Sequence, residues 1–350
     1  MERSENYRRI RKDRKAPRPK KLKTWIDAYI SLRKTLGFKI VELRKNLKTL
    51  ITFMRDRGIK SFRKLDRRTA ASWLHSNSPQ EMTIVVRLAC MRGFFRYLLG
   101  LGEVKENIWD TFMNPKPKRF RPYIFSIEEL KAIFDQMCSR INARTPIRSC
   151  VHSAYYTMFH AIYACGLRTG EACGLDISDV DFEQSLLVVR NTKFGKSRLV
   201  PFNSRARELL LEYLNRFRPG DDGMPPDVPF FLNILRRRFC VKRVSGHFSL
   251  MCKEAGIHRH KMTKGNIVYG GTTTHALRHS FAVHRLLKWY EEGVDVNAKL
   301  PLLATYMGHA HYHHTQKYLT VLPTIIDIAG KRFARKFESP LKNLEWPGGS

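Results

Sequence analysis

The stretch Asn114-Pro115-Lys116-Pro117-Lys118-Arg119-Phe120-Arg121-Pro122 sets the tightest limit on what this chain can fold into. Three prolines keep it extended, and four basic residues with no acid let it track a polyanionic backbone. Apolar-periodic sequence lies on both sides. The 350 residues are enough for two domains, each with its own core. The expected division is a basic tail over 1–20, a helical domain over 21–113, a basic linker over 114–125, a second domain over 126–338 and a C-terminal tail over 339–350.

Charge points to the partner. The formal net charge is +33 and the pI near 10.2, yet 43% of residues are hydrophobic, too many for a disordered polycation. A folded protein this basic calls for a polyanion. Residues 1–125 carry 32 Lys and Arg against 11 Asp and Glu, so nonspecific affinity should sit mainly in the N-terminal third. The seven cysteines include no C-x-x-C pair, and Cys165 and Cys173 fall inside apolar helical patterns, which reads as core thiols in a reducing compartment. No apolar run approaches the ~20 residues that span a bilayer, and the charge of residues 1–20 excludes a secretory signal. The expectation is a soluble, cytoplasmic protein without membrane contact.

Helical periodicity runs from residue 22 to 112, with segments around Trp25 to Leu32, then 43–54, 69–74 and 82–99: four helices that suit a small bundle. In the last of them the apolar stripe is core, which leaves Arg87, Arg92 and Arg96 on solvated faces, with one or two able to meet phosphate. The second domain opens on Ser126-Ile127-Glu128-Glu129, a capping box with Glu129 three residues after its cap. Helix is expected to 137, over 148–164, 203–217 and 235–255. Residues 186–190 and 198–201 flank Asn191-Thr192-Lys193-Phe194-Gly195-Lys196 as a short antiparallel hairpin. The fold class is therefore mainly α with a small antiparallel sheet.

The chemistry is concentrated between 270 and 320. His275, Arg278 and His279 are three and four residues apart, so on a helix they share a face. His309 and Tyr318 follow. Imidazoles and a guanidinium without a carboxylate suit a diffuse anion such as a phosphodiester. A phenol of ordinary pKa, about 10, attacks only if a base takes its proton and cations stabilise the phenolate. The run His309, His311, His313, His314 invites a metal, but no Cys, Asp or Glu within it completes a site, so neither metal nor cofactor is expected.

His275-Ala276-Leu277-Arg278-His279, Met307-Gly308-His309 and Tyr318 nine residues on, together with Gly166-Leu167-Arg168-Thr169-Gly170-Glu171, resemble the tyrosine recombinase (phage integrase) family. The resemblance implies a two-domain DNA clamp, with a core-binding bundle ahead of the catalytic domain. It implies Tyr318 as nucleophile, Arg168 and Arg278 on the scissile phosphate, His275 as acceptor of the tyrosine proton, His309 as a phosphate donor and a hairpin lysine as general acid. Lys193 fits that lysine best by its distance from Arg198, and Lys196 is the runner-up, otherwise a DNA contact. Glu171 and His279 would support the site, with a surface or capping role for Glu171 and a carbonyl-bonded core role for His279 as the plain alternatives. Lys116, Lys118, Arg119 and Arg121 would track DNA.

The partners implied are double-stranded DNA at specific sites, further copies of the chain up to a tetramer, and accessory recombination proteins. Ile325, Ile326, Ile328, Ala329, Phe333 and Phe337 make an apolar face too wide for water, which in the family docks on a neighbouring protomer; docking in cis is the alternative. Residues 258–274 and the interval from Arg278 to His309 exceed the family's usual lengths. A type IB topoisomerase-like enzyme uses the same residue set, and a catalytically silent DNA-binding protein would keep the same fold.

Overall fold

A computed structural model describes residues 22–77, 79–116, 118–141, 145–190, 197–218, 227–309 and 311–320. The chain divides into two compact units, 1–117 and 118–350.

The first unit is built on four helices, α1 (Leu22–Thr35), α2 (Val41–Asp56), α3 (Arg67–Leu74) and α4 (Glu81–Gly100). On α4, Ile84, Leu88, Met91, Phe95 and Leu98 recur at helical spacing and are all buried. Their partners include the fully buried Trp73 and Trp109, whose rings meet edge to face at 5.5 Å. Two of the arginines expected in solvent are structural instead. Arg87 Nη1 donates to the carbonyls of Trp73, Leu74 and Ser76, at and just beyond the end of α3. Arg92 donates to the carbonyls of Trp109 and Phe112 and to Asn114 Oδ1 at 3.0 Å. A helix end and an irregular turn each bring several carbonyls close together, and a guanidinium supplies several donors at once. Arg96 is exposed, as expected.

The second unit begins with a strand, β1 (Arg119–Arg121), followed by α5 (Ile127–Cys138), α6 (Pro146–Ala164) and α7 (Thr169–Gly174). The capping box of α5 is formed: Ser126 Oγ accepts from the Glu129 amide at 3.2 Å, and Glu129 Oε2 accepts from the Ser126 amide at 2.9 Å. Ser126→Ala is expected to lower stability by about 1 kcal/mol; an unchanged urea midpoint would contradict this. Strands β2 (Val180–Asp181), β3 (Leu186–Val189) and β4 (Arg198–Pro201) form an antiparallel sheet with Leu187 opposite Val200 and Val189 opposite Arg198. The turn holding Lys193 and Lys196 lies outside the described residues.

Next come α8 (Ser204–Phe217), capped by Asn203, and α9 (Val241–Glu254). Helix does not start at 235 because Asn233 Oδ1 takes the amides of Leu235 and Arg237 into a tight turn, with Arg236 at φ 54. The long segment after 258 folds into a hairpin, β5 (Met262–Lys264) and β6 (Ile267–Tyr269). β1 pairs with β6 in parallel, Arg119 opposite Ile267 and Arg121 opposite Tyr269. Three residues of the expected linker thus form one strand of a second sheet, of mixed direction, that no apolar pattern announced.

The unit closes with α10 (Thr274–Glu291), α11 (Val296–Met307) and the single turn α12 (His313–Gln316). Its core runs from Phe125 through α6, whose Ala154, Met158, Phe159 and Ile162 are buried, to the first turns of α10. The cysteines are all free, with Cys165, Cys173 and Cys252 in that core. Among the described residues no helix is long and apolar enough to cross a membrane. Residues 1–20 and the apolar face beyond Thr324 lie outside the described residues.

Candidate active site

Four elements deliver the site. Arg168 is the residue capping α7, two residues after Gly166, whose φ of +59 favours glycine and whose Cα leaves no room for a Cβ beside Phe281. His275, Arg278 and His279 lie on the first turns of α10, sharing a face as their spacing requires. Gly308 ends α11 in the left-handed region and turns the chain so that His309 follows at once. Tyr318 comes two residues beyond the end of α12.

Glu171 lies at the centre of the cations. Its Oε1 accepts from Arg168 Nη1 at 2.6 Å and from Arg198 Nη1 at 3.0 Å, while its Oε2 accepts from Arg198 Nη2 at 2.8 Å and from the Arg168 amide at 2.9 Å. Arg278 Nη1 is 3.7 Å from the same carboxylate. Burial works against this charge, but the Arg198 hydrogen bonds and the Arg168 amide outweigh it and hold the carboxyl down at about 2. Three guanidiniums therefore share one carboxylate, and the surplus positive charge sits where little water reaches: the Arg278 side chain is 1% exposed. Burial, and then the repulsion of Arg168, pull Arg278 down to about 9, so it remains charged at neutral pH. Arg278 also donates to the carbonyls of Gly166 and Met307, and Arg168 Nη2 donates to Gly308 O at 2.9 Å. The two arginines thus fasten α7 and α10 to the turn that carries His309.

Tyr318 is buried, with its hydroxyl 2.7 Å from Nδ1 of His279. Burial pushes the phenol up to about 12, against the pull of Arg278 and Arg168. Burial likewise takes His279 down to about 3, with His275 and Arg278 adding to it, so at neutral pH a neutral phenol faces a neutral imidazole. The imidazole expected to meet the tyrosine was His275. His275 instead packs its ring 4.5 Å from that of His279. It remains open to solvent, while crowding around its ring and the charges of Arg278 and Arg168 push it below the ordinary imidazole value. His309 Nδ1 is 2.7 Å from the hydroxyl of the fully buried Thr315, and its ring lies 6.4 Å from that of Tyr318. His311, His313 and His314 are exposed, and among the described residues no three His, Cys, Asp or Glu side chains are placed to hold a metal ion.

A cavity of about 240 Å³ opens beside His275 and His279, walled by Phe120, Tyr123, Lys261 and the backbone of Gly270 and Gly271. Arg119 and Arg121 are exposed on β1, as are Lys116 and Lys118 ahead of it. Of the residues singled out in the sequence, Arg168 and Arg278 thus share the Glu171 carboxylate, and His279 is bonded to Tyr318, with the ring of His275 against His279 and that of His309 near Tyr318. The sequence reading missed Arg198 as a member. The signal was present: alternation along β4 puts Arg198 on the face of the buried Val200, with Leu199 60% exposed on the other.

Comparison with known proteins points to one family. The Phage integrase family matches residues 126–324. A putative integrase/recombinase, y4rB, of Sinorhizobium fredii is 32% identical over 89% of this chain and 97% of its own length. The tyrosine recombinase XerC of Pelobacter propionicus is 31% identical over 67% of each chain. Among solved structures, the Tn1549 transposon integrase in complex with a circular intermediate DNA superposes with a TM-score of 0.59, at 18% identity, over 86% of this chain and 95% of that one. A lambda integrase tetramer bound to a Holliday junction gives 0.57, at 17% identity, over 87% and 80%. These two likenesses concern the fold. By the extent of the family match and by its relatives, the chain belongs to the phage integrase family: it is a tyrosine recombinase, an enzyme of site-specific DNA recombination.

Proposed function

We propose that this recombinase cuts and rejoins double-stranded DNA through a 3′-phosphotyrosyl bond to Tyr318. The observation that carries the reading is the buried phenol hydrogen-bonded to His279 beside a cluster of three guanidiniums on one carboxylate. A phosphodiester in flight spreads negative charge over its nonbridging oxygens, and fixed cations in a dry site stabilise that charge without reorganising. Arg168 and Arg278 take those oxygens, and His309 adds a hydrogen bond. His279 holds the phenol at rest and receives its proton, and His275, ring to ring with His279 and open to solvent, carries it on. Lys193 protonates the departing 5′ oxygen. The nucleophile is a side chain and the cations belong to the protein, so no metal or cofactor is required.

DNA is held by both units, with Lys116, Lys118, Arg119, Arg121 and Lys196 on its backbone. A homotetramer, tied by the segment after Tyr318, performs the exchange in the cytoplasm. The lambda integrase tetramer bound to a Holliday junction, which shares this fold, supports this assembly.

The test uses the full chain and a nicked suicide duplex carrying a site found by footprinting the DNA that flanks the gene. An SDS-stable adduct should form, map to Tyr318 and persist in EDTA. Footprints without an adduct would leave only a DNA-binding protein. Loss on chelation with recovery on Mg²⁺ or Zn²⁺ would overturn metal independence.

A further inference from the structure

Arg198 occupies an inward position on β4 where a sheet this small would ordinarily place an apolar side chain, and that side chain is only 10% exposed. Its planar group is used on two sides. Nη1 and Nη2 fork the Glu171 carboxylate at 3.0 and 2.8 Å, and Nε donates to the Tyr306 carbonyl at 2.8 Å. Tyr306 is held to the same strand a second time, its hydroxyl donating to Pro201 O at 2.9 Å. Two residues on stands Gly308, where a Cβ would come within 2.9 Å of Arg198 Nη1 and 3.1 Å of its Cδ and Cζ. The guanidinium thus fills the space that glycine leaves, directly behind the turn bearing His309.

We propose that Arg198 is a positioning residue for strand cleavage, an assignment that rests on Arg168 and Arg278 being the phosphate ligands. By saturating Glu171 it leaves the charge of those two arginines for the phosphate, and by clamping Tyr306 O it fixes the His309 turn. Arg198 touches no phosphate itself. Without it, a buried carboxylate would keep only Arg168 and Arg278 as cationic partners and draw on both, so the site would lose attraction for an anion while its phosphate ligands stayed in place. Lysine restores the charge but not the fork, because an ammonium is a point charge and cannot serve a carboxylate and a carbonyl on two edges of one plane.

Single-turnover cleavage of the suicide duplex, with DNA affinity measured separately, tests this on the full chain. Arg198→Met should slow cleavage on the order of 10²-fold, the scale of losing one preorganised electrostatic contact, while DNA affinity stays within about threefold. Arg198→Lys should fall in between. The deciding variant is Arg198→Met combined with Glu171→Gln, which removes the carboxylate left unpaired. It should cleave at least about tenfold faster than Arg198→Met alone, since the two sites are in contact and cannot be additive. Cleavage by Arg198→Met within about threefold of wild type would overturn the assignment. So would a double variant no faster than the single one, which is what a merely structural strand residue would give. Should Arg198→Met fail to fold, Arg198→Lys with and without Glu171→Gln makes the same comparison. If the wild-type chain itself forms no adduct, the functional reading has failed. The Arg198 assignment then stands or falls on melting temperature, which Glu171→Gln should partly restore in the Arg198 variants and would leave lowered if Arg198 did not serve Glu171.

Discussion

Tyr318→Phe should bind DNA as the wild type does and form no covalent adduct, a loss on the order of 10⁴-fold or more, as expected when a nucleophile is removed from an otherwise intact site. Affinity should survive because it is distributed over many phosphate contacts, none of them requiring the phenol. Folding should change little. The ring stays buried, and what is lost is one hydrogen bond to His279, worth about 1 kcal/mol. An adduct persisting in this variant would mean that another side chain is the nucleophile. Loss of DNA binding together with cleavage would mean that Tyr318 supports the fold, in keeping with its burial, and would leave its chemical role without support.

Acid should unfold the catalytic unit well before the helical one. Burial is the leading cause that lowers His160 and His247 to about 4 and His279 and His309 to about 3; Arg205 adds to it at His160, His152 at His247, His275 at His279 and Arg278 at His309. Each of these imidazoles takes up a proton in the unfolded chain near pH 6.5 and refuses it in the folded one. The stability they contribute is therefore complete above about pH 6.5 and is lost as pH falls toward 4. One such group costs at most about 1.4 kcal/mol per pH unit, and His247 and His309, partly open to solvent, contribute less than that limit. Glu171, held at about 2, has the same sign in a lower window: its contribution is present above the ordinary carboxylate range and disappears as pH falls through it. Residues 1–117 hold one of the 13 histidines, His75. Thermal melts followed at pH 7.5, 6 and 5 should show one transition moving steeply down while the other stays. A catalytic-unit transition that does not move between 7.5 and 5 would refute the burial of neutral imidazoles described above.

The pattern of legibility follows from the range of each interaction. The helices of the first unit were readable because burial on one face of α4 repeats every three or four residues, and a local period needs no knowledge of the partner. The hairpin of β3 and β4 was readable from two short apolar or β-branched runs flanking a turn segment, again a local signal. The mixed sheet was not, since β1 and β6 pair residues about 150 positions apart, and Arg-Phe-Arg shows no apolar face. One local clue was passed over: Gly265-Asn266 between Lys264 and Ile267 is a two-residue hairpin signal. Arg87 and Arg92 were misjudged because the carbonyls they serve belong to a helix end and an irregular turn, which periodicity does not describe.

The sequence alone singled out the candidate catalytic side chains as a set, because His275, Arg278 and His279 share a helical face by spacing, and the order of Arg168, His309 and Tyr318 around them is specific. Only the tertiary structure decided which of them touch. The face shared by two imidazoles does not say which meets the phenol, and the packing of the turn after α12 gives that place to His279. Nor does any spacing reveal that Arg198, 27 residues from Glu171 and 108 from Tyr306, serves both. Those bonds depend on where separate elements are brought to rest against one another, and a pattern confined to one element carries no record of that.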